Sequence, residues 1–441
     1  MKSHLSTCHL LTRTGRKTCL IGLLVGLLAL AGAHARTWTS SDGSKTFEGE
    51  LKSYDPATGT VGVTLANGKA MSFSQTKLSE ADISFLKESS QATASTKESA
   101  PPAPVVPAAS TAPSTPSSAP STTATPTHAA LPDPDGKDAD MSKPVQVFIL
   151  MGQSNMVGLG NIATLQEAIK TKGKYPYLVD EAGNWTVRKD VRNVYIMSLK
   201  PQHNDWMSIS NRNKLGPEYG IGHCLGNSID APVMILKSCI GNRSLGWDLL
   251  PPGTEPYEFE GNMNPGYRGT KGDPKGNGEK VAEWYAGKQY DDDVEGAKQV
   301  LADLESHYPG GKKYEVAGFF FWQGEKDCGS AAHAEFYEKN LVQFIKQLRK
   351  DFDAPNAKFV LATLGEAKKG EGGNKGKVTD AQLAVDGNEG KYKEFKGNVA
   401  TVYANPYCHG GSGNGHYNGN CETYMDTGEA MGRAMLELLK N

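Results

Sequence analysis

The sequence lacks features that mark several classes of protein. Among its 441 residues, 47 basic and 49 acidic side chains nearly balance, which leaves a formal net charge of −2. Such a chain presents no broad field that attracts nucleic acid or an anionic membrane surface, so we expect neither as a partner. It also has no HExxH motif and no CxxC pair. Because these are common arrangements of zinc ligands, we expect no metal site.

Long apolar runs are absent, apart from a short one near the amino terminus. A positively charged start precedes about 14 apolar residues at 19–32, which are too few to span a typical bilayer. The triplet Ala-His-Ala follows at 33–35, as at a signal-peptidase site. Residues 1–35 are therefore predicted to be a cleaved signal peptide. The mature chain is expected to be secreted, or to work in the periplasm or cell envelope, without stable membrane insertion.

Cysteines are scarce as well. Five lie outside the predicted signal peptide, which is an odd number for a disulfide framework. A bridge between Cys408 and Cys421 would close the loop that contains His416. The alternative is that all five are small buried residues.

A short module follows the signal peptide, over residues 36–90. Alternating runs separated by Asp-Gly and Asn-Gly turns predict short antiparallel strands, and a helix opened by Ser79 follows them. The segment RTWTSSDGSKTFEGE resembles the start of the SH3-like barrel called SLA1 homology domain 1. The resemblance implies a module that binds or positions an unknown partner, and a plain spacer domain is the alternative.

Residues 91–141 have a different composition, dominated by Ala, Pro, Ser and Thr. Without large aliphatic or aromatic side chains, such a segment buries too little surface to repay the entropy of ordering. We expect a disordered linker between two modules.

The large domain, residues 142–441, alternates apolar runs with helical stretches. Short runs that are apolar at successive positions are typical of strands covered on both faces, and the alternation predicts an α/β fold with a doubly wound parallel sheet of about five strands. Sites in such sheets lie beyond the carboxyl ends of the strands. The strands are predicted at 145–152, 231–239, 316–324, 358–365 and 398–406, and the helices at 292–308, 333–352 and 423–440.

The first of these strands ends in MGQSNMVG, which contains Ser154. A serine at a strand-to-helix turn has its hydroxyl at the sheet edge, near backbone N–H groups that stabilise developing negative charge. From position alone, a helix N-cap is the more frequent role of such a serine.

Further motifs follow in order along the domain. Together with the first one, they resemble the blocks of the SGNH hydrolases, and more narrowly the sialate O-acetylesterase and acetylxylan esterase group, carbohydrate esterase family 6. The resemblance implies a flavodoxin-like fold and a serine esterase that removes O-acetyl groups from sugars. The motifs are MGQSNMVG (151–158), LGPEYGIG (215–222), LKSCIGNRSLGWD (236–248), FFFWQGEKD (319–327) and GHYNGNCETYMDTGEAMGRAM (415–435).

The resemblance assigns the nucleophile and its base. Ser154 would attack the ester carbonyl, and this requires a base whose pKa lies near the working pH. His416, in the last block, is the implied base. His409 is the alternative from sequence alone, and for it we retain a structural role.

The third triad member is where the sequence departs from the wider family. Many SGNH hydrolases carry an aspartate three residues before the histidine, but Gly413 occupies that position here and cannot orient an imidazole. The carbohydrate esterase group implies instead Glu325, the glutamate of the Q-G-E block, with Asp327 as the second candidate. A dyad without an acid is a further alternative.

The resemblance also implies an oxyanion hole and a substrate pocket. The oxyanion donors would be the backbone N–H groups of Ser154 and Gly241 and the side-chain amide of Gln323. Aromatic stacking faces for sugar rings are expected among Trp206, Trp247, Tyr257 and Trp284, and a loop over 250–290 is expected to cover the site mouth. The implied substrate-binding residues are Asn155, Glu218, Arg243 and Trp247.

The predicted function is that of an exported esterase acting on acetylated carbohydrate. No cofactor is implied, because hydroxyl, imidazole and backbone amide groups suffice for acyl transfer. Two alternatives come from other classes. One is a non-catalytic carbohydrate-binding or scaffold protein that keeps the fold, and the other is an esterase for non-carbohydrate acyl compounds.

Overall fold

The computed structural model divides the chain into two compact units, residues 1–117 and 118–441. The predicted signal peptide and most of the predicted linker lie outside the described residues. The structure describes residues 36–41, 45–55, 60–65, 70–86, 131–276, 283–411 and 415–441.

The first unit is a four-stranded antiparallel sheet in the order β1-β2-β3-β4, followed by a helix, α1, at 80–86. Its core centres on Trp38, which is fully buried and donates from Nε1 to the Gly49 carbonyl at 2.9 Å. The buried Asp82 accepts from the Thr39 N–H at 2.8 Å and from the Arg36 guanidinium at 2.6 Å, which ties α1 to the first strand. The strands are β1 Arg36–Thr39, β2 Thr46–Asp55, β3 Thr60–Leu65 and β4 Ala70–Ser74.

The second unit contains the remaining elements, and it has the α/β architecture predicted from the sequence. Its strands are β5 Val145–Gly152, β6 Gly160–Asn161, β7 Arg188–Met197, β8 Lys200–Met207, β9 Lys214–Leu215, β10 Val233–Ser238, β11 Tyr257–Phe259, β12 Asn262–Asn264, β13 Tyr314–Trp322, β14 Lys358–Ala362 and β15 Val399–Val402. Its helices are α2 Ser154–Val157, α3 Ile162–Lys172, α4 Glu218–Gly226, α5 Lys288–Ala302, α6 Leu304–His307, α7 Ala331–Asp351, α8 Gly373–Ala384 and α9 Cys421–Leu439.

Seven of these strands form one mixed sheet in the order β15-β14-β13-β5-β10-β7-β8. The first six are parallel and β8 runs antiparallel to β7. Four of the predicted apolar runs contain β5, β10, β14 and β15, and the fifth, at 316–324, overlaps β13. The α/β class is therefore confirmed, and the predicted count of about five strands is low. The two strands missed, β7 and β8, carry charged and amide side chains that mask an apolar pattern. In β7, the buried Arg188 is neutralised by Asp190 at 2.5 Å.

Helices cover both faces of this sheet. Along β5, Phe148 and Leu150 pack into a core that also takes residues of α3, α4 and α9, while Val147 and Ile149 pack into a second core with α5, α7 and α8. Burial of successive strand residues on opposite faces explains the continuous apolar runs in the sequence.

The segment before β5 differs from the prediction. The sequence predicts a linker through residue 141, but residues 131–141 are described as part of the second unit. Leu131 is buried in its core, and the Pro132 carbonyl accepts from Asn227 Nδ2 at 3.2 Å. The apolar leucine at the end of a polar segment supplies the surface that anchors it.

Within the described parts of the chain, no helix combines the length and apolarity needed to cross a membrane.

Candidate active site

Residues 152–155, which contain the predicted nucleophile Ser154 and are called here the nucleophile turn, lie at the carboxyl edge of the seven-stranded sheet. Strand β5 ends at Gly152, whose φ of 148° suits glycine, and a Cβ there would collide with the Trp322 carbonyl oxygen at the end of β13. Gln153 N–H donates to that oxygen at 3.2 Å. The close approach of the two strand ends brings Ser154, the first residue of α2, to the sheet edge.

A carboxylate just beyond β13 holds both sides of this turn. Glu325 accepts hydrogen bonds from Gln153 Nε2 and from Asn155 Nδ2, the latter at 2.6 Å. Burial raises the pKa of Glu325, and the two amide donors act in the opposite direction. Because the donors flank Ser154 in sequence, Glu325 fixes the turn that carries the hydroxyl.

Ser154, Glu325 and His416 line the same two cavities. The first has a volume of about 250 Å³ and the second, a more open one, about 590 Å³. Asn155 lines the first cavity and Gly241 the second. Residues 154 and 416, which are distant in sequence, are thus brought to one site.

The His416 loop is attached to the nucleophile turn through the next residue. Tyr417 is buried, stacks on Trp322 with ring centroids 6.1 Å apart, and accepts from Asn155 Nδ2 at 3.0 Å. Residues 416–418 all have left-handed φ, between 49° and 56°. Each such non-glycine conformation costs on the order of 1 kcal/mol and persists only where surrounding contacts impose it.

Opposing influences set the pKa of His416. Burial lowers it, the negative charge of Glu366 raises it, and the positive charge of Lys214 lowers it further, with a net downward direction. The imidazole therefore stays neutral, and able to accept a proton, to a lower pH than an ordinary histidine.

Gly241 lies beside the nucleophile. A Cβ built on it would be 3.6 Å from Ser154 Cβ, which is an ordinary van der Waals contact. The absence of this atom leaves open space next to the hydroxyl, as an approaching ester requires.

Gln323 and Asp327 are not in this space. Gln323 is fully buried, and its amide nitrogen donates to the Arg243 carbonyl at 2.8 Å and to Asp327 Oδ2 at 2.6 Å. Both amide hydrogens are thereby used, so the predicted oxyanion donor is not available. Asp327 also accepts from the backbone N–H groups of Leu245 and Gly246, at 2.9 and 2.7 Å, and burial raises its pKa to about 6. Gln323 and Asp327 together order the loop that follows Gly241. Because the Asp327 carboxylate accepts from these donors and lines neither cavity, the geometry does not support it as the triad acid.

Glu218 does not border the pocket. It forms a buried ion pair with Lys237 at 2.9 Å, and Lys237 Nζ also donates to the Val157 carbonyl at 2.9 Å. Since Val157 ends α2, the pair holds the far side of the nucleophile helix.

Arg243 and Trp247 follow Gly241 in the chain. The Arg243 guanidinium carbon lies 4.8 Å from the centroid of the Trp284 ring, and its Nε donates to Gln289 at 3.1 Å. Trp247 is half-buried, and its carbonyl accepts from Gly287 N–H at 2.7 Å. Neither lines the two cavities of the site.

The alternative base, His409, faces another acid. Its Nε2 is 3.4 Å from Asp426 Oδ2, and its backbone is bonded to the Thr423 hydroxyl. These contacts agree with the structural role expected for it.

Several residues of the site carried no motif in the sequence. Glu366 follows β14 just beyond its carboxyl end, so the rule that sites lie past parallel strands was a usable signal for it. Gly415 and Tyr417 lie in the last quoted block, where no role was assigned to them. The missed residues of the first cavity that lie outside the quoted blocks are Cys328, Leu364, Glu366, Ala367 and Lys375.

All five cysteines outside residues 1–35 are free thiols, so Cys408 and Cys421 do not form the bridge considered from the sequence. Cys408 packs instead in the buried layer against Gly365 and Tyr417. Among the described residues, no group of three or more His, Cys, Asp or Glu side chains is arranged to hold a metal ion.

Residues 275–437 match a family model described as carbohydrate esterase, sialic acid-specific acetylesterase. The matched segment contains Glu325 and His416. It begins after Ser154 and Gly241, which therefore lie outside it. A search of the curated proteins found no significant match.

Three solved structures are similar to the chain. A protein from Arabidopsis thaliana is 19% identical, with a TM-score of 0.40, over 67% of this chain and 98% of its own. A carbohydrate acetylesterase from Xanthomonas citri is 13% identical, with a TM-score of 0.37, over 66% of this chain and 56% of its own. The protein NanS is 14% identical, with a TM-score of 0.33, over 60% of this chain and 78% of its own.

The buried Lys237–Glu218 pair predicts a large stability effect. Lys237→Met leaves an unpaired buried carboxylate, so we expect the free energy of unfolding to fall by about 3–5 kcal/mol. The double variant Lys237→Met/Glu218→Gln should recover part of this loss. Urea unfolding monitored by fluorescence measures both.

The exposed pair Lys346–Glu394, at 3.2 Å, provides the control. Lys346→Met should change the unfolding free energy by less than about 1 kcal/mol. An equal effect of the Lys237 and Lys346 substitutions would contradict the role of the buried pair.

The charges around His416 predict opposite shifts of its pKa. Replacing Glu366 with Gln removes a charge that stabilises the imidazolium, so the pKa should fall. Lys214→Gln removes a repelling charge, so the pKa should rise. Titration of the His416 ring protons by NMR measures both shifts, and a shift in the same direction in both variants would disprove this account.

Proposed function

We propose that the protein is an exported serine esterase that removes O-acetyl groups from carbohydrate. The observation that carries this proposal is that Ser154 and His416 line the same two cavities at the carboxyl edge of the sheet. The match of residues 275–437 to the carbohydrate esterase family supports an ester hydrolase with an acetylated sugar as substrate. We also propose that the mixed α/β sheet has the flavodoxin-like arrangement of the SGNH hydrolases.

In the first half-reaction, Ser154 Oγ attacks the acetyl carbonyl carbon while His416 takes the hydroxyl proton. The tetrahedral oxyanion forms in the open space beside Gly241, where the backbone N–H groups of Ser154 and Gly241 are the proposed donors. The C–O bond to the sugar then breaks, and the imidazolium returns its proton to the departing sugar oxygen.

In the second half-reaction, water replaces the sugar. His416 takes a proton from the water molecule as its oxygen attacks the acetyl-serine carbonyl. Collapse of the second tetrahedral intermediate expels the Ser154 oxygen, which takes the proton from the imidazolium, and releases acetic acid, which ionises to acetate in solution. No other reactant is required.

We propose separate roles for the two glutamates. Glu325, implied as the triad acid by resemblance, accepts from the two amides that flank Ser154, and this favours a positioning role. Glu366 is the carboxylate whose charge raises the pKa of His416 and which lines the same cavity. It is therefore our candidate for stabilising the imidazolium.

The substrate is proposed as a class. The family description names sialic acid, while resemblance of the sequence blocks extends to acetylxylan esterases. Sialates and acetylated polysaccharides are therefore both candidates.

Export and the role of the first unit are likewise proposals. The apolar segment and small residues before Arg36 favour signal cleavage there. The antiparallel sheet of the first unit is compatible with an SH3-like module that binds an unknown partner.

Acetate release from the mature protein tests the proposal. We expect hydrolysis of p-nitrophenyl acetate and of either 9-O-acetylated sialic acid or acetylated xylan, with a loss of at least about 100-fold in Ser154→Ala. Retention of the Ser154→Ala rate would eliminate the nucleophile assignment. Binding of sugars without turnover would favour the scaffold alternative, and activity restricted to p-nitrophenyl acetate would favour a non-carbohydrate substrate.

A further inference from the structure

Trp284 has an unusual combination of exposure and fixation. Its side chain is 39% exposed, although a tryptophan gains more than most residues from burial. Its indole Nε1 nevertheless donates to Asp248 Oδ1 at 3.0 Å. Asp248 is in turn fixed by the backbone N–H and hydroxyl of Ser244, at 2.8 and 3.0 Å. The ring is therefore held in place while a large part of it remains open to solvent.

Arg243 fixes the ring from a second direction. Its guanidinium carbon lies 4.8 Å from the indole centroid, within the range of a cation–π contact. The guanidinium is itself anchored, because its Nε donates to Gln289 at 3.1 Å and Gln289 donates to Asp293 at 2.7 Å. Gln289 and Asp293 are buried, so the half-buried Arg243 and, through it, the exposed Trp284 are held by buried side chains.

This pair adjoins the proposed ester site. Gly241 lies against Ser154, Asn242 lines the second cavity with it, and Arg243 is the next residue. The Arg243 carbonyl accepts from the buried Gln323, which fixes the direction of the loop. The indole is thus connected to the nucleophile through Gly241, Asn242 and the Arg243 side chain.

We propose that Trp284 and Arg243 form a subsite for a second sugar ring of the substrate, next to the ring that carries the acetyl group. This inference rests on the proposed function and narrows its substrate class to acetylated oligosaccharides or polysaccharides. The exposed indole surface receives the apolar C–H face of a pyranose, and the guanidinium N–H groups donate to its hydroxyl oxygens. Preorganisation of both side chains lowers the entropy cost of binding.

The chemistry favours a sugar over a peptide or a lipid. The neighbouring cavity is the one that the proposed reaction uses, and residues 275–437, including Trp284, match the carbohydrate esterase family. A single fixed indole with a cationic partner is too small and too polar for an acyl chain, whereas it matches one amphipathic ring.

The test compares substrates of different length in the mature protein. The probes are p-nitrophenyl acetate, 9-O-acetylated sialic acid free and at the end of sialyl-lactose, and acetylated xylose beside acetylated xylotetraose. In Trp284→Ala, the ratio of kcat/KM for the longer sugar to kcat/KM for the matching monosaccharide should fall about tenfold, through KM. Trp284→Phe should restore much of this ratio.

Trp206→Ala is the matched control, because Trp206, a stacking candidate from the sequence, lines neither cavity of the site. Trp206 also lies beneath an arginine, with Arg192 5.0 Å from its ring centroid, but it packs on Tyr308 at the β8 edge of the sheet. Its substitution should leave the ratio unaltered. An unaltered ratio in Trp284→Ala, or an equal fall in Trp206→Ala, would overturn the subsite.

A binding measurement separates this inference from the proposed function. Titration calorimetry with sialyl-lactose and with xylotetraose, neither of which carries an acetyl group, requires no turnover. Weaker binding of one of them to Trp284→Ala than to the unaltered protein supports the subsite even if no ester is hydrolysed. Absence of binding to the unaltered protein by both sugars, or equal binding to the two proteins, would overturn the subsite, whatever the hydrolytic activity.

Discussion

The candidate site depends on one chain of hydrogen bonds between the ends of neighbouring segments. Glu325, just beyond β13, accepts from Asn155 beside the nucleophile, and Asn155 donates again to Tyr417, the residue after His416. Three segments that are separated by more than 90 residues in sequence are joined by two bonds of one amide group. The Asn155 amide thus bonds directly to both the residue beside His416 and the carboxylate beyond β13.

This arrangement carries costs that the rest of the domain must offset. Desolvation of the Glu325 carboxyl group raises its pKa and so disfavours its ionised form. The acceptor oxygens of Gln153 and Asn155 are buried without a protein partner, and residues 416–418 adopt left-handed backbone conformations. Strained and incompletely satisfied groups are tolerated where a rigid framework imposes them. That framework is the seven-stranded sheet, with its two apolar cores.

The sequence was informative where a residue's role is local, and much less so where it depends on a distant partner. Apolar runs predicted β5, β10, β13, β14 and β15, because a strand that is buried on both faces carries apolar side chains at successive positions. Strand β7 escaped because its buried Arg188 bonds to Asn227, a residue distant in sequence, and Gln323 was misassigned because its amide hydrogens are taken by Arg243 and Asp327. Glu366 has no motif. Its position past the end of β14 was the usable signal, but its place in the same cavity as His416 is apparent only from the structure.

Chemical capture of the serine tests the central claim most directly. A fluorophosphonate probe should form one covalent adduct on Ser154, located by mass spectrometry of peptides. The labelling rate should fall about 100-fold or more in His416→Ala, and it should persist in His409→Ala, since His409 faces Asp426 instead. Labelling of another residue, or an equal rate with and without the His416 imidazole, would contradict the account.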